Sequence, residues 1–368
     1  MMSEERNDRI VVAILNWNGR HHLATYLPSV VLHSQGFADV IVIDNGSSDD
    51  SVDWLSMNFP SVEIIRLTEN KGFSAGYNEG LNQIDADYYI LLNSDVRVSP
   101  NWIDPVIQMM KEQQFIACQP LIRNDSDPEL FEYAGAAGGY IDRDGFTFCA
   151  GRMFEVFESD EGQYNANREV FWASGAALFI KSSAFHEVGG LDTAFFAHME
   201  EIDLCWRLKN RGYRIGCCGD SVVFHLGGGT LQKLNPFKTY LNFRNNLFLL
   251  VKNHHRKWLY PMLFRRMILD GIAAIKFFFE GSPDMFFAVW KAHLHFWGNF
   301  SLMTKKRKEE YAKCQHAAET AIAHPINYAG WYNESIIIDY FFKKKQTFDA
   351  LNPDCFCKSR ILNADNQP

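Results

Sequence analysis

Short apolar runs recur through the first hundred positions, at "IVVAIL" (10–15), "VIVID" (40–44), "VEIIRL" (62–67) and "YYILLN" (88–93). Polar or helix-period stretches separate them, at 21–35, 48–58 and 73–84. Buried strands alternating with helices predict a mostly parallel, doubly wound α/β sheet. In such sheets ligands sit beyond the carboxyl ends of the strands. Here those ends read "LNWNG", "IDNGSSDD", "LTENKG" and "LLNSD", polar in every case. A site is expected there.

Past residue 120 the alternation loosens. "AGAAGGYIDRDGFTF" (134–148) reads as a glycine-rich insertion containing a hairpin, and "VFWASGAALFI" (170–180) as a returning strand. A helix over 182–188 follows, then an amphipathic helix opened by Glu200, Glu201 and Asp203, then a strand at "SVVFH" (221–225) before a glycine-rich turn. From about 236 onward, apolar stretches interrupted by Arg and Lys predict about three amphipathic helices. The last fifty residues mix a helix with a polar end and say little. No internal repeat is visible.

Composition narrows the class. At 47% hydrophobic and 14% aromatic residues, the 368-residue chain can bury a full core in one large or two modest units. The eight cysteines include no CxxC pair, so reduced thiols in a cytoplasmic compartment are expected. "MMSEERNDRIVVAIL" lacks a signal peptide's apolar core, and no uncharged run reaches the roughly 18 residues of a spanning helix. The net charge of −8 hides an asymmetry. Residues 235–313 hold 14 Lys/Arg against 5 Asp/Glu, whereas the remainder holds 22 against 39. The basic part is expected to meet an anionic surface. No nucleic-acid partner is expected. No GxGxxG follows the first strand and no GxxxxGK[ST] loop occurs, which disfavours dinucleotide and P-loop sites.

The ordered set "ILNWNG", "VIDNGSSDDS", "ENKGFSAGYNEGL", "YYILLNSDV", "ASGAALFI", "VGGLDTAFFAHMEEIDLCWRL", "GYRI" and "VVFHLGGGT" resembles the inverting family 2 glycosyltransferases of GT-A fold. The nearest likeness is to the rhamnosyltransferase-like branch of bacterial surface-polysaccharide synthesis. The resemblance covers residues 10 to about 250. It implies a GT-A catalytic domain over 1–235, with a nucleotide half to about 98 and an acceptor half beyond it. A basic helical segment (236–315) and a tail of unknown role (316–368) follow. It further implies a nucleotide-sugar donor, dTDP- or UDP-linked, and a glycan or polyprenyl-diphosphate-linked acceptor. The location would be cytoplasmic, at or near the inner membrane's cytoplasmic face.

Chemistry gives each residue type a task. Cleavage of the sugar–phosphate bond leaves growing charge on a diphosphate, which a divalent Mg²⁺ or Mn²⁺ can absorb. Asp95 takes the last position of the family's DxD-type motif, with Asn93 at the first and Ser94 between them. His225 is the second implied metal ligand, against a structural histidine as the rival. Asp44 is implied to accept hydrogen bonds from the base or ribose, with Asn45 and the following serines making the local turn. Trp17 either stacks on the base or packs in the core. The resemblance further implies that Asn16, Gly72 and Asn78 line the nucleotide, and Trp172 and Gly175 the acceptor.

Inversion needs a base beside the acceptor hydroxyl. The family's Glu-Asp pair reads Glu200-Glu201 here. Asp203 pairs with Arg207 at i,i+4, while Glu201 falls beside Leu204 and Leu208 on a drier side. Glu201 is therefore the expected base, and Glu200 the alternative. Two other classes compete: a sugar nucleotidyltransferase, which needs a basic Gly-rich loop after the first strand, and a non-catalytic carbohydrate-binding relative. For the basic segment, the expected contact is an anionic membrane through Arg265, Arg266 and Lys305–Lys308. Its rivals are packing on the catalytic domain and a homodimer.

Overall fold

A computed structural model describes residues 8–227, 235–254, 259–319 and 326–358. Most of the glycine-rich turn expected after His225 lies outside these residues, as does the start of the charged N-terminus. In chain order the nucleotide half runs β1 (Ile10–Asn16), α1 (Arg20–Ser34), β2 (Asp39–Asp44), α2 (Ser51–Asn58), β3 (Glu63–Arg66), α3 (Gly72–Leu81) and β4 (Tyr88–Asn93). Then come β5 (Val96–Val98), α4 (Asp104–Glu112) and β6 (Phe115–Asn124). An insertion follows with β7 (Gly139–Asp142), β8 (Thr147–Cys149), β9 (Arg152–Met153) and β10 (Val156–Phe157). The chain returns through β11 (Arg168–Val170), β12 (Ala177–Lys181), α5 (Ser182–Glu187), α6 (Glu200–Asn210) and β13 (Arg214–His225). Helices α7 (Pro236–Asn253), α8 (Leu259–Phe279), α9 (Pro283–Gly298) and α10 (Phe300–Glu319) precede a short strand, β14 (Trp331–Tyr332).

The main sheet runs β11-β13-β6-β12-β4-β1-β2-β3, with β5 paired to the end of β13. Strands β1 to β4 are mutually parallel, as their apolar runs require, and antiparallel β12 joins them to the acceptor half. In β1 the alternation of a buried strand is plain. Val11 and Ala13 enter the core on one face of the sheet, and Val12 and Ile14 the core on the other. The continuous strand expected over 170–180 is broken. Val170 ends β11 at the sheet edge, whereas Ala177 starts β12 three strands further in. The intervening residues cross between them, anchored by Gln119 Oε1, which accepts the Ser174 N–H at 2.8 Å. The last strand is longer than expected because it continues through Gly219, where its register against β6 shifts.

The insertion forms a small sheet ordered β10-β9-β8-β7-β14. Its last strand comes from the uninformative tail. Trp331 and Tyr332 are fully buried and pair in parallel with Ile141 and Asp142.

The basic segment forms four helices rather than three, and much of its charge turns inward. Arg266 is buried on Asp270 at 2.8 Å, whereas Arg265 pairs with the buried Asp144 but stays exposed. Lys306 reaches Asp192 at 2.8 Å, and Arg307 donates to the carbonyls of Val251 and His254. Of the four-residue cluster expected to meet lipid, Lys305 and Lys308 remain exposed. Packing thus claims cations that their sequence pattern had assigned to a surface. What the helices expose instead is apolar: Tyr260, Phe264, Ile268, Ile272, Ile275 and Phe279 along α8, and Phe287, Trp290, Leu294 and Trp297 along α9.

Helix α6 is buried almost all round rather than amphipathic, because α7 covers its polar face. Asp203 accepts from Arg207 Nε and Lys252 Nζ, both at 2.8 Å, and from Asn253 Nδ2 at 2.8 Å. Lys252 also contacts Asp192 at 2.6 Å. Removing one partner of a buried ion pair leaves an uncompensated charge, which costs about 3–5 kcal/mol. Lys252→Met is therefore expected to lower unfolding free energy by about that amount in urea titrations. The exposed Lys305→Gln should change it by ~0.5 kcal/mol or less. Equal effects would contradict a buried network.

Candidate active site

The carboxyl ends of β1, β2 and β4 lie side by side, because the register opposes Asn16 to Asp44 and Leu15 to Asn93. Asn16 Nδ2 donates to Asp44 Oδ1 at 3.1 Å and to Ser47 Oγ at 3.2 Å. Asp44 Oδ2 accepts the Ser47 N–H at 3.1 Å, so Asp44 itself makes the turn contact expected of Asn45. Asn45 reaches across instead, accepting the Lys71 N–H and donating to Gly72 O, which fixes the start of α3. Each Asp44 oxygen has taken one donor here and keeps lone-pair capacity for another. Trp17 stands at the rim, 52% exposed, and Ser94 is half-buried near Gly19. Gly72 has φ +78°, and a Cβ there would meet the Phe196 ring at 3.5 Å. Asn78 bridges to Leu191 in both directions, at 2.8 and 2.9 Å, so its amide ties α3 to the loop after α5. Tyr77 lies in the core, its hydroxyl on Leu92 O at 3.0 Å.

Immediately after Asp95 the chain folds back as β5 along β13, opposing Val96 to His225. That return brings two distant residues together. His225 Nε2 lies 3.2 Å from Asp95 Oδ1 and 3.5 Å from Asn93 Nδ2, and its Nδ1 lies 3.3 Å from Glu132 Oε1. All three titratable groups are buried. Burial works against charge on His225, but Asp95 and Glu132 outweigh it and push its pKa up to about 10. Despite its own burial, Asp95 is held below the ordinary carboxylate value by His225 and His22. A cation ligated by His225 would have to displace the proton that Asp95 stabilises on its ring. Among the described residues no group of three or more His, Cys, Asp or Glu side chains encloses a metal position. An open Asp–His pair instead suits a hard cation that completes its shell with phosphate oxygens and water. Glu132 and His22 were not expected from the sequence. Neither carries a local motif, and only folding brings them to Asp95 and His225.

The acidic pair stands behind a strained loop. Phe196, His198 and Met199 all have φ near +70°, a region unfavourable for residues with a Cβ. Helix α7 holds this loop in place. Asn245 Nδ2 donates to the carbonyls of Phe195, Ala197 and His198 at 2.9, 2.8 and 2.7 Å, and Arg244 adds a bond to Phe195 O at 2.9 Å. Glu200 and Glu201 each keep one buried carboxyl oxygen without a protein partner. Gly175 backs Glu201, since a Cβ there would stand 3.5 Å from that side chain. Burial raises both carboxyls, Glu201 to about 7. Glu200 goes further, because the charges of Glu201 and Asp203 add to its burial. Asp203 moves the other way despite burial, since Lys252 and Arg207 hold it ionised. Trp172 is buried, its indole N–H on Tyr140 O at 2.9 Å. Ser174 Oγ donates to Ala134 O at 2.6 Å, two residues from Glu132, and Gly175 lies against Glu201, so the His225 cluster and the acidic pair flank one segment.

Comparison with known proteins bears on the fold and the class of enzyme. Residues 11–188 match the family described as Glycosyl transferase family 2. An N-acetylglucosaminyl-diphospho-decaprenol L-rhamnosyltransferase of Mycobacterium tuberculosis is 26% identical over 286 residues, 73% of this chain and 92% of the relative. A low-salt glycan biosynthesis hexosyltransferase, Agl10, of Haloferax volcanii is 23% identical over 243 residues, 65% of this chain and 74% of the relative. The fold is shared with a crystal structure of GalNAc-T7 with UDP, GalNAc and Mn²⁺, at TM-score 0.55 and 15% identity, covering 88% of this chain and 60% of that one. The family match and the shared fold converge: residues 11–188 match the family 2 glycosyltransferase domain, and the protein is a glycosyltransferase of GT-A fold.

Proposed function

We propose that the protein transfers a sugar, with inversion, from a nucleotide-diphospho-sugar to a hydroxyl of a lipid-linked glycan. The observation that carries this reading is Glu201, whose one buried carboxyl oxygen has no partner and whose pKa is raised toward neutrality. Such a group is poised to take a proton near pH 7. In the transfer, the acceptor O–H proton passes to the Glu201 carboxylate as the acceptor oxygen bonds to the anomeric carbon. The bond from that carbon to the phosphate oxygen breaks, and the nucleoside diphosphate leaves with the electron pair. Glu200, more strongly raised, stays protonated and keeps a second negative charge away from the base. Asp44 and Asn16 receive the nucleoside at the strand ends. Asp95 and His225 would hold a divalent cation, which would supply Lewis-acid stabilisation of the leaving diphosphate. Glu132 orients the His225 ring from behind.

The relative from M. tuberculosis, by its name, acts on a diphospho-decaprenol-linked sugar, which supports a lipid-linked acceptor for this chain. No helix among the described residues is long and apolar enough to cross a membrane. The aromatic faces of α8 and α9 fit a helix pair lying in the headgroup region, with Lys276, Lys291, Lys305 and Lys308 exposed for anionic lipid.

Three outcomes follow. A base must be deprotonated to act, so turnover should rise with pH through about 7 and be lost below it. Glu201→Gln should cut turnover by ~10²–10⁴-fold and erase that limb, while Glu200→Gln keeps it. A dead Glu200→Gln enzyme beside an active Glu201→Gln would reverse the assignment. Calorimetry of donor binding with and without Mn²⁺ checks the cation. Asp95→Ala should remove the metal dependence, and an unchanged dependence would contradict the Asp95 role. Vesicle flotation checks the surface. Phe264→Ser with Trp290→Ser should release the protein from anionic vesicles, whereas Lys305→Gln with Lys308→Gln should only weaken binding as salt rises. Binding indifferent to the aromatic pair would turn this face toward a second copy of the chain.

A further inference from the structure

Close to the acidic pair lie two cations that the transfer chemistry above does not use. Arg152 stacks on the Tyr133 ring, its Cζ 3.5 Å from the centroid, and donates to Tyr133 O at 3.0 Å. Lys238 Nζ approaches the same ring at 5.1 Å. Among the described residues neither has a carboxylate within ion-pair distance, and Arg152 Nε is buried without a partner. Two like charges on one ring repel each other. Lys238 is also the third residue of α7, so it adds a positive charge to the positive end of a helix. The sequence from Leu226 to Asn235 contributes no carboxylate to offset it. An anion held between the two cations would offset that repulsion.

Its place in the fold says which anion. Tyr133 adjoins Glu132, the partner of His225. Ala134, next along the chain, accepts a hydrogen bond from Ser174 Oγ at 2.6 Å, and the neighbouring Gly175 lies against Glu201. The field of Lys238 reaches His198, two residues ahead of Glu200; burial and then Lys238 press that imidazole down to about 4, leaving it neutral with a buried Nε2 free to bond. The two cations therefore belong to the neighbourhood of the base, where the acceptor hydroxyl must lie. Arg152 comes from the insertion sheet and Lys238 from the helix that leads toward the exposed aromatic face, both outside the nucleotide half.

We propose that Arg152 and Lys238, held against Tyr133, form a subsite for the diphosphate of the acceptor. The proposal rests on the lipid-linked acceptor reading above. A diphosphate on the anomeric carbon of the accepting sugar lies one ring away from the hydroxyl presented to Glu201. Guanidinium and ammonium donors on its oxygens would fix that distance and orient the sugar. The lipid then continues toward the faces of α8 and α9.

The test uses the full chain saturated with Mn²⁺ and whichever of UDP and dTDP it binds, titrated with farnesyl diphosphate and with farnesol. The diphosphate should bind about 10- to 100-fold more tightly than the alcohol, as one charge-assisted contact provides. In Arg152→Gln/Lys238→Gln that preference should vanish while nucleotide affinity and thermal midpoint hold, and Lys238→Arg should retain most of it. A preference that survives the double variant would overturn the subsite. So would a wild-type chain that binds both probes equally. Loss of nucleotide affinity in step with the probe would assign the cations to the donor instead. A chain that binds no nucleotide at all would refute the donor reading, leaving the farnesyl titration to judge this subsite by itself.

Discussion

Asp203 has no exposed surface and is nonetheless ionised. A carboxylate so buried is tolerable only when fully paired, and here Arg207, Lys252 and Asn253 all donate to it. Arg207 belongs to its own helix, but Lys252 and Asn253 come from α7. The helix bearing the acidic pair is thus locked to the helical extension by charge. Lys252 and Lys306 together hold Asp192, which ties α10 into the same junction. From α7, Asn245 then holds the strained loop that aims Glu200 and Glu201. The extension is part of the candidate active site's support.

One face of the site follows from sheet geometry and the other from that junction. At the strand ends, parallel register aligns Asn16, Asp44 and Asn93 without further help, and the β5 return carries His225 to Asp95. On the side of the acidic pair no sheet edge positions Glu201. Its position depends on left-handed backbone at His198 and Met199, held by three carbonyl contacts from one amide. This division explains why burial raises the two glutamates while Asp203, three residues beyond Glu200, is pulled down. The network that anchors the helix ends one turn short of the pair.

Much of this was legible in the chain. Apolar runs gave β1 to β4 nearly to the residue, since buried parallel strands must be continuous in apolar character. The Asp203–Arg207 pair followed from helical spacing alone. What escaped depends on contacts far apart in sequence. Glu132 meets His225 across 93 positions, and its surroundings, "FEYAG", carry no signal of that. The break between Val170 and Ala177 reflects where the strands sit in the sheet, which apolar character cannot report. Arg266, Lys306 and Arg307 looked like surface charge because their partners, Asp270, Asp192 and the carbonyls of α7 and its C-cap, are found only by packing. Trp331 and Tyr332 belonged to a segment with no period of its own, and their strand exists only against β7.

The central claim is that one buried carboxylate deprotonates an acceptor hydroxyl as the donor's phosphate leaves from the opposite face of the sugar. The anomeric configuration of the product tests it most directly. With an α-linked sugar nucleotide, Mn²⁺ and a prenyl-diphosphate-linked acceptor, proton NMR of the new glycosidic bond should report β configuration, and the converse for a β-linked donor. A product that keeps the donor's configuration would contradict a single displacement with Glu201 as base.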